Sequence, residues 1–207
     1  TIGTQERPDL FSLEVLKTVP LPDVVYEINE RVLADGRVRE PLVATDVLTF
    51  AAHCQRAGIR SIAIVFLHAS VHPEHERQAA SILRGGPGVP LPMGKVVQIH
   101  GPILVPSLPL SFDVFASHES AREMGAVARG ETTAADAYLT PVLRRSLERF
   151  RRGFADDVEV RFVRSDGGLS SASQVRGPAA VLSGPAGGAL PVARAAQRGG
   201  VTGAVGL

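Results

Sequence analysis

The six apolar residues Ile62-Ala63-Ile64-Val65-Phe66-Leu67 constrain this chain more than any other stretch. A run of that length, with β-branched residues, reads as a buried strand over Ser61 to Leu67. Helical patterns flank it. Thr45 or Asp46 offers an N-cap for Val47 to Arg56, and Gly58 supplies the C-terminal stop. On the far side, Pro73 suits a helix's first turn, and Glu74 to Leu83 follows it with acids where the helix dipole favours them. Helix, buried strand, helix is the signature of an α/β arrangement with parallel-sheet character.

The remaining segments are less regular. Leu10 to Thr18 alternates as a half-buried strand. Val24 to Val32, Ala34-Asp35-Gly36 and Arg37 to Leu42 spell a hairpin around an Asp-Gly turn, with a helix over Glu27 to Leu33 as the alternative. From Gly85 to Pro109 six prolines break both helix and ladder, which predicts a loop or insertion with one short strand over Lys95 to Ile99. Phe112 to Ala116 is a short strand ending at Ser117-His118-Glu119-Ser120. Glu131-Thr132-Thr133 opens a helix over Ala134 to Arg152, with Ala137, Val142, Leu143 and Leu147 inward, arginines outward, and Pro141 as a kink or first-turn residue. Val158 to Val163 is a further strand. Ser183 can accept from first-turn amides of a last helix, and Pro185 fits that turn.

Composition narrows the function classes. With 44% hydrophobic and 21% charged residues, the chain has the balance of a globular protein. A formal net charge of +1 and the absence of Trp argue against nucleic acid and anionic membrane surfaces as partners. The single cysteine, Cys54, fits a reducing compartment, so a cytoplasmic location is expected. No apolar run approaches the roughly 18 residues of a membrane span. A start at Thr1 and an end inside a strand pattern, Val201 to Leu207, lead us to expect a piece of a longer protein.

Several constellations carry chemistry. Ser165-Asp166-Gly167-Gly168 closes a strand, where open α/β sheets place ligand loops; a tight turn with an Asx cap is the competing reading. His68, His72, His75 and Glu76 invite a metal, but His72 to Glu76 equally spells a helix start, and we expect no metal. Ser117-His118-Glu119 holds acid–base residue types, yet three neighbours in sequence do not converge as a triad must; His118 and Glu119 remain candidates to line a pocket. Gly184, Gly187 and Gly188 strip Cβ atoms from the start of the last helix, suiting close approach by backbone or an anion.

Taken in order, Arg7-Pro8-Asp9-Leu10-Phe11, Gly58 to Ser70 with His72-Pro73-Glu74-His75-Glu76, Ser117-His118-Glu119, Arg129-Gly130-Glu131-Thr132, Asp136 to Pro141, Arg164-Ser165-Asp166-Gly167-Gly168-Leu169 and Leu182 to Gly188 form a pattern. It resembles the hydantoinase A/5-oxoprolinase family over nearly the whole chain, and the Arg-Ser-Asp-Gly-Gly wording looks most like the 5-oxoprolinase branch. The resemblance implies an α/β fold that is part of an actin/Hsp70-like (ribonuclease H-like) ATPase, a mixed sheet with flanking helices. It divides the chain into residues 1–84 of the N-terminal region, a loop or insertion at 85–110, and 111–207 at the start of the core domain.

The same resemblance implies ATP-dependent opening of a cyclic amide such as 5-oxoproline or a hydantoin, with ATP phosphorylating the carbonyl oxygen before water adds. Phosphate and Mg²⁺ would make the amide a workable electrophile, and K⁺ is a further ion of the family. A hydantoinase B-type partner and an oligomer are also implied. Candidate catalytic residues are Glu119, His118 and Asp166; Ser165, Asp166, Gly167, Gly168, Ser183, Gly184, Gly187 and Gly188 would line the substrate or nucleotide cleft. The family's two Asp-x-Gly-Gly-Thr-x-Thr-Asp phosphate loops are not in this sequence, so an internal fragment, inactive alone, is expected. Pro191 should kink or stop the last helix. Two alternatives stay open: a non-catalytic scaffold module, and an acetone or acetophenone carboxylase-type subunit.

Overall fold

The computed structural model describes residues 20–85, 112–155 and 157–202, with residue 11 and the strand residues 97–98 and 102–103. The chain forms two compact units, Thr1–Ala137 and Tyr138–Leu207. The strand expected over Leu10 to Thr18 lies outside the described residues apart from Phe11.

In the first unit, β1 (Arg31–Val32) and β2 (Val38–Glu40) form the expected antiparallel hairpin, though with shorter strands. Gly36 sits at φ +84°, where a side chain is costly, and Asp35 accepts the Arg37 N–H across the turn. Helix α1 (Ala44–Arg56) buries Val47, Leu48, Ala51 and Cys54, a stripe of helical period. It starts earlier than the sequence suggests. Val43 is the N-cap without a side-chain bond, and Thr45 and Asp46 lie inside the first turn. Gly58, at φ +71°, ends it as expected.

Strand β3 (Ser61–Ile64) buries Ile62 and Ile64 but exposes Ala63. The apolar run is therefore a half-buried strand that stops short of Phe66 and Leu67. After a turn with His68 at φ +61°, α2 (Glu74–Leu83) begins, with Pro73 as its N-cap residue. Two-residue strands β4 (Val97–Gln98) and β5 (Pro102–Ile103) pair antiparallel. Strand β6 (Asp113–Ala116) then pairs with β3 in parallel, Ser61 opposite Asp113 and Ile64 opposite Ala116. With β6 as the parallel partner, the helix–strand–helix passage read from the sequence is thus in place, with its parallel-sheet character. Its core is Val47, Leu48 and Ala51 of α1, Ile62 and Ile64 of β3, Ala79 and Leu83 of α2, and Val114 of β6. Buried in that core, the Cys54 thiol is pushed above its ordinary range by loss of solvent.

A single turn, α3 (Ser117–Ser120), follows β6 directly. Helix α4 (Ala126–Arg151) begins eight residues before the expected Ala134 and runs through Pro141 without ending. Thr133, read from sequence as part of a cap, instead bonds back through Oγ1 to the Arg129 carbonyl at 2.6 Å, an interior-helix contact. Ala137 is buried as expected, whereas Val142 is 55% exposed.

The second unit is built on β7 (Arg161–Val163) and β8 (Leu169–Ser171), an antiparallel hairpin, with α5 (Gly177–Ala180) and α6 (Ser183–Gly199). Phe150 packs edge-on against Phe162 and beside Phe154. Gly177 joins α5 to α4 closely: its N–H donates to Thr140 Oγ1 at 2.7 Å, and a Cβ there would sit 2.3 Å from that of Leu139. Pro191 does not stop α6, which continues past it and closes on Gly200 in the left-handed region.

Candidate functional site

The carboxyl ends of the parallel pair β3 and β6 gather the most chemistry. Such ends are where α/β sheets place ligand sites, because the loops there are free of the ladder. Glu76, from the first turn of α2, is fully buried beneath them. Its Oε1 accepts the Phe66 N–H at 2.9 Å and the Ser117 hydroxyl at 2.5 Å. Its Oε2 accepts the His118 N–H at 2.9 Å and lies 2.8 Å from His118 Nδ1. A carboxylate with four donors is satisfied in a place where an unpaired one would be prohibitive.

Arg129 completes the cluster from α4, also fully buried. Its Nε donates to Ser117 Oγ at 2.7 Å, Nη2 to the Phe66 carbonyl at 2.7 Å, and Nη1 to the Glu123 carbonyl at 3.0 Å. One cation and one carboxylate share Ser117 between them, so neither charge is buried uncompensated. At the rim, Glu119 pairs with Arg84 at 2.9 Å. Next to it, Ser120 Oγ donates to the buried Asp136 at 2.8 Å. His118 and Glu119, both singled out in the sequence, therefore belong to one constellation, with Glu76, Ser117 and Arg129 as members that sequence spacing did not assign to a site. The available signal was Glu76 itself: it lies on the same helical stripe as Ala79, Ala80 and Leu83, where an acid is out of place unless partnered.

His72 and His75, whose spacing invites a metal, turn to different partners. His72 Nε2 faces the Ala34 carbonyl at 3.2 Å, and His75 Nδ1 meets Glu30 at 2.7 Å. Among the described residues no three His, Cys, Asp or Glu side chains gather to hold a metal ion.

The remaining residues of interest lie together in the second unit. Ser165-Asp166-Gly167-Gly168 is the turn of the β7–β8 hairpin, with Gly167 at φ +78°. Asp166 accepts the Gly168 N–H at 2.9 Å and pairs with Arg164; that N–H, with the guanidinium, holds its carboxyl below the usual carboxylate range. The tight-turn reading describes this geometry. Ser165 ties the turn to the start of α6, its Oγ donating to the Ala179 carbonyl at 2.7 Å and accepting the Leu182 N–H at 3.2 Å. Ser183 opens α6 without capping it, since Leu182 is the N-cap residue and no side-chain cap bond forms. Gly187 passes over Val163, whereas Gly184 and Gly188 face open space. An open groove of about 750 Å³ between Arg144, Glu148, Glu159 and Ser171 contains none of these residues.

No helix among the described residues is long and apolar enough to cross a membrane. The hydantoinase/oxoprolinase N-terminal region model matches residues 1–85, and the hydantoinase/oxoprolinase model matches residues 129–207. A 5-oxoprolinase of Saccharomyces cerevisiae is 31% identical over 91% of this chain, which spans 15% of that relative's length. Among solved structures, the ATP-dependent caprolactamase from Pseudomonas jessenii superposes with a TM-score of 0.64 at 26% identity, over 81% of this chain and 22% of its own. Nucleotide-free acetone carboxylase gives 0.63 at 22% identity, over 84% and 22%, a likeness of fold. These matches agree with the mixed α/β fold class, and the chain belongs to the hydantoinase/oxoprolinase family.

Proposed function

We propose that the protein carrying this chain is an ATP-dependent cyclic-amide hydrolase of the 5-oxoprolinase type, built on an actin/Hsp70-like ATPase fold. The observation that carries this reading is the buried Arg129–Ser117–Glu76–His118 cluster at the carboxyl ends of β3 and β6. Opening an amide ring requires a proton to leave water and another group to supply one to nitrogen, and this cluster holds a histidine oriented by a carboxylate for such work. The yeast relative named 5-oxoprolinase and the ATP-dependent caprolactamase support the class of reaction.

Within this reading, His118 is the principal acid–base candidate and Glu119, paired to Arg84, lines the same edge. Asp166 belongs with Ser165, Gly167, Gly168, Ser183, Gly184, Gly187 and Gly188 as one wall of the nucleotide cleft. The open space above Gly184 and Gly188 is compatible with a close-lying anion at an uncapped helix start. ATP would supply the activation of the amide oxygen, with Mg²⁺ as its counter-ion and K⁺ as an accessory. A cytoplasmic oligomer with a hydantoinase B-type partner fits the same reading, and the 207-residue segment alone is expected to be silent.

The test is ATP hydrolysis by the full-length protein with 5-oxoproline or hydantoin, Mg²⁺ and K⁺. ADP should appear in step with ring-opened product. ADP formation dependent on acetone and bicarbonate, with the cyclic amides inert, would move the protein to the carboxylase class.

A further inference from the structure

Glu76 is placed as no ordinary first-turn acid needs to be. Glu74, two residues earlier on α2, serves the helix dipole at 66% side-chain exposure, whereas Glu76 is fully buried with four donors around it. An ionised carboxylate can only accept. Ser117 must therefore point its hydroxyl hydrogen at Oε1, which leaves its lone pairs to Arg129 Nε. By the same logic the contact at Oε2 requires the hydrogen of the His118 ring to sit on Nδ1. In a neutral imidazole Nε2 is then the acceptor.

That nitrogen is not consumed by the cluster. Glu119 Oε1 lies 3.9 Å from it, beyond hydrogen-bond length, and the Glu119 carboxylate is held by Arg84. The His118 side chain keeps 12% of its surface exposed, so the ring is anchored on one edge and reachable on the other.

We propose that Glu76 is a positioning residue that fixes the Nδ1–H tautomer of His118, making Nε2 the proton acceptor of ring opening. The reaction rests on the cyclic-amide reading above; the tautomer does not. In the step, the oxygen of water bonds to the carbonyl carbon as Nε2 takes the water proton. The carbon–nitrogen bond breaks with its electron pair left on nitrogen, and Nε2 returns the proton to that nitrogen. The phosphoryl group that ATP placed on the amide oxygen stays on the new carboxyl as an acyl phosphate, which a second water hydrolyses to carboxylate and inorganic phosphate. The imidazole ends as it began, and Glu76 stays ionised throughout, stabilising the transient imidazolium. Ser117, itself held by Arg129 Nε, anchors Oε1 of that carboxylate.

Magic-angle-spinning ¹⁵N NMR of the full-length, histidine-labelled protein reads the tautomer directly, with His118→Gln assigning the signals. Wild type should show His118 protonated at Nδ1 with Nε2 bare, and E76Q should lose that preference. In turnover, H118Q and E76Q should each lower kcat by on the order of 10²–10⁴-fold, with KM within about threefold. If E76Q does not fold, S117A, which removes one of the four donors, should show partial loss of the Nδ1–H preference. A wild-type His118 protonated at Nε2 overturns the positioning role. Unchanged kcat in H118Q, with wild type active, overturns the proton-acceptor role. A wild type inert towards every cyclic amide overturns the reaction, while the tautomer spectrum still decides what Glu76 does.

Discussion

Glu76 and Asp166 are two acids with arginines in their networks, and they are opposites. Asp166 stands at 61% side-chain exposure and draws its partners, Arg164 and Gly168, from two residues away on either side. Glu76 is fully buried and draws its partners from Phe66, after β3, and from Ser117 and His118, after β6, two segments far from it in sequence. The first is a turn that would close in a short peptide. The second exists only when the first unit is folded. A carboxylate satisfied locally stabilises a bend; one satisfied across the fold holds other groups in place, and the second kind is where site chemistry is built.

Four substitutions press on that contrast, the largest effect first. Glu76→Ala strands the N–H groups of Phe66 and His118 and removes the acceptor of the Ser117 hydroxyl to which buried Arg129 Nε is bonded. Breaking a buried charged network this way should cost about 3–5 kcal/mol, read as a fall in the denaturant midpoint, with little soluble protein as the extreme. A loss below about 1 kcal/mol, the range of an exposed pair, would erase the distinction from Asp166.

The next two compare glycines of the second unit. Gly177→Ala puts a methyl group 2.3 Å from Leu139 Cβ and 3.1 Å from the Thr140 amide nitrogen. Backbone cannot yield cheaply, so a loss of about 1–3 kcal/mol is expected. Gly188→Ala meets nothing within 4 Å and should instead gain up to roughly 1 kcal/mol from helix propensity. If turnover by the full-length protein falls in Gly188→Ala while its melting temperature does not, Gly188 serves a ligand or neighbouring backbone and not the helix. Equal turnover returns the start of α6 to plain helix structure.

The smallest effect belongs to Asp166→Asn. The carboxyl is lowered when folded, so its stabilisation is complete above its unfolded value and is lost as pH falls through the folded one. The slight deficit of Asp166→Asn against wild type, followed by thermal melts, should be widest near neutral pH and vanish in acid. A deficit that grew towards acid would mean the carboxyl is not lowered.

Much of the first unit was legible because its periods are clean. Val47, Leu48, Ala51 and Cys54 repeat at helical spacing, and the Asp35-Gly36 turn announces its hairpin. The start of α4 was not legible, because threonines near an expected boundary look like caps, and only the fold shows Thr133 bonding back to Arg129. Arg129 escaped for a related reason: arginine is rarely fully buried, and its carbonyl partners at Phe66 and Glu123 carry no sequence signature. His118 and Glu119 were visible as residue types. Their convergence with Glu76 was not, since α2 and α3 are brought together by the parallel pairing of β3 and β6.

That parallel pairing also bears on how the protein reaches its native state. Ser61 and Asp113 are about fifty residues apart, so this ladder must wait for a large loop to close, while α1, α2 and the β1–β2 hairpin form from near neighbours. Ser117 and His118 reach Glu76 only after that closure. Until then Glu76 lacks the donors that cover Oε1 and Oε2 from α3, and its full burial comes with that closure. The arrangement makes assembly of the Glu76–His118 contact a late folding event, one that a chain halted before strand pairing would lack.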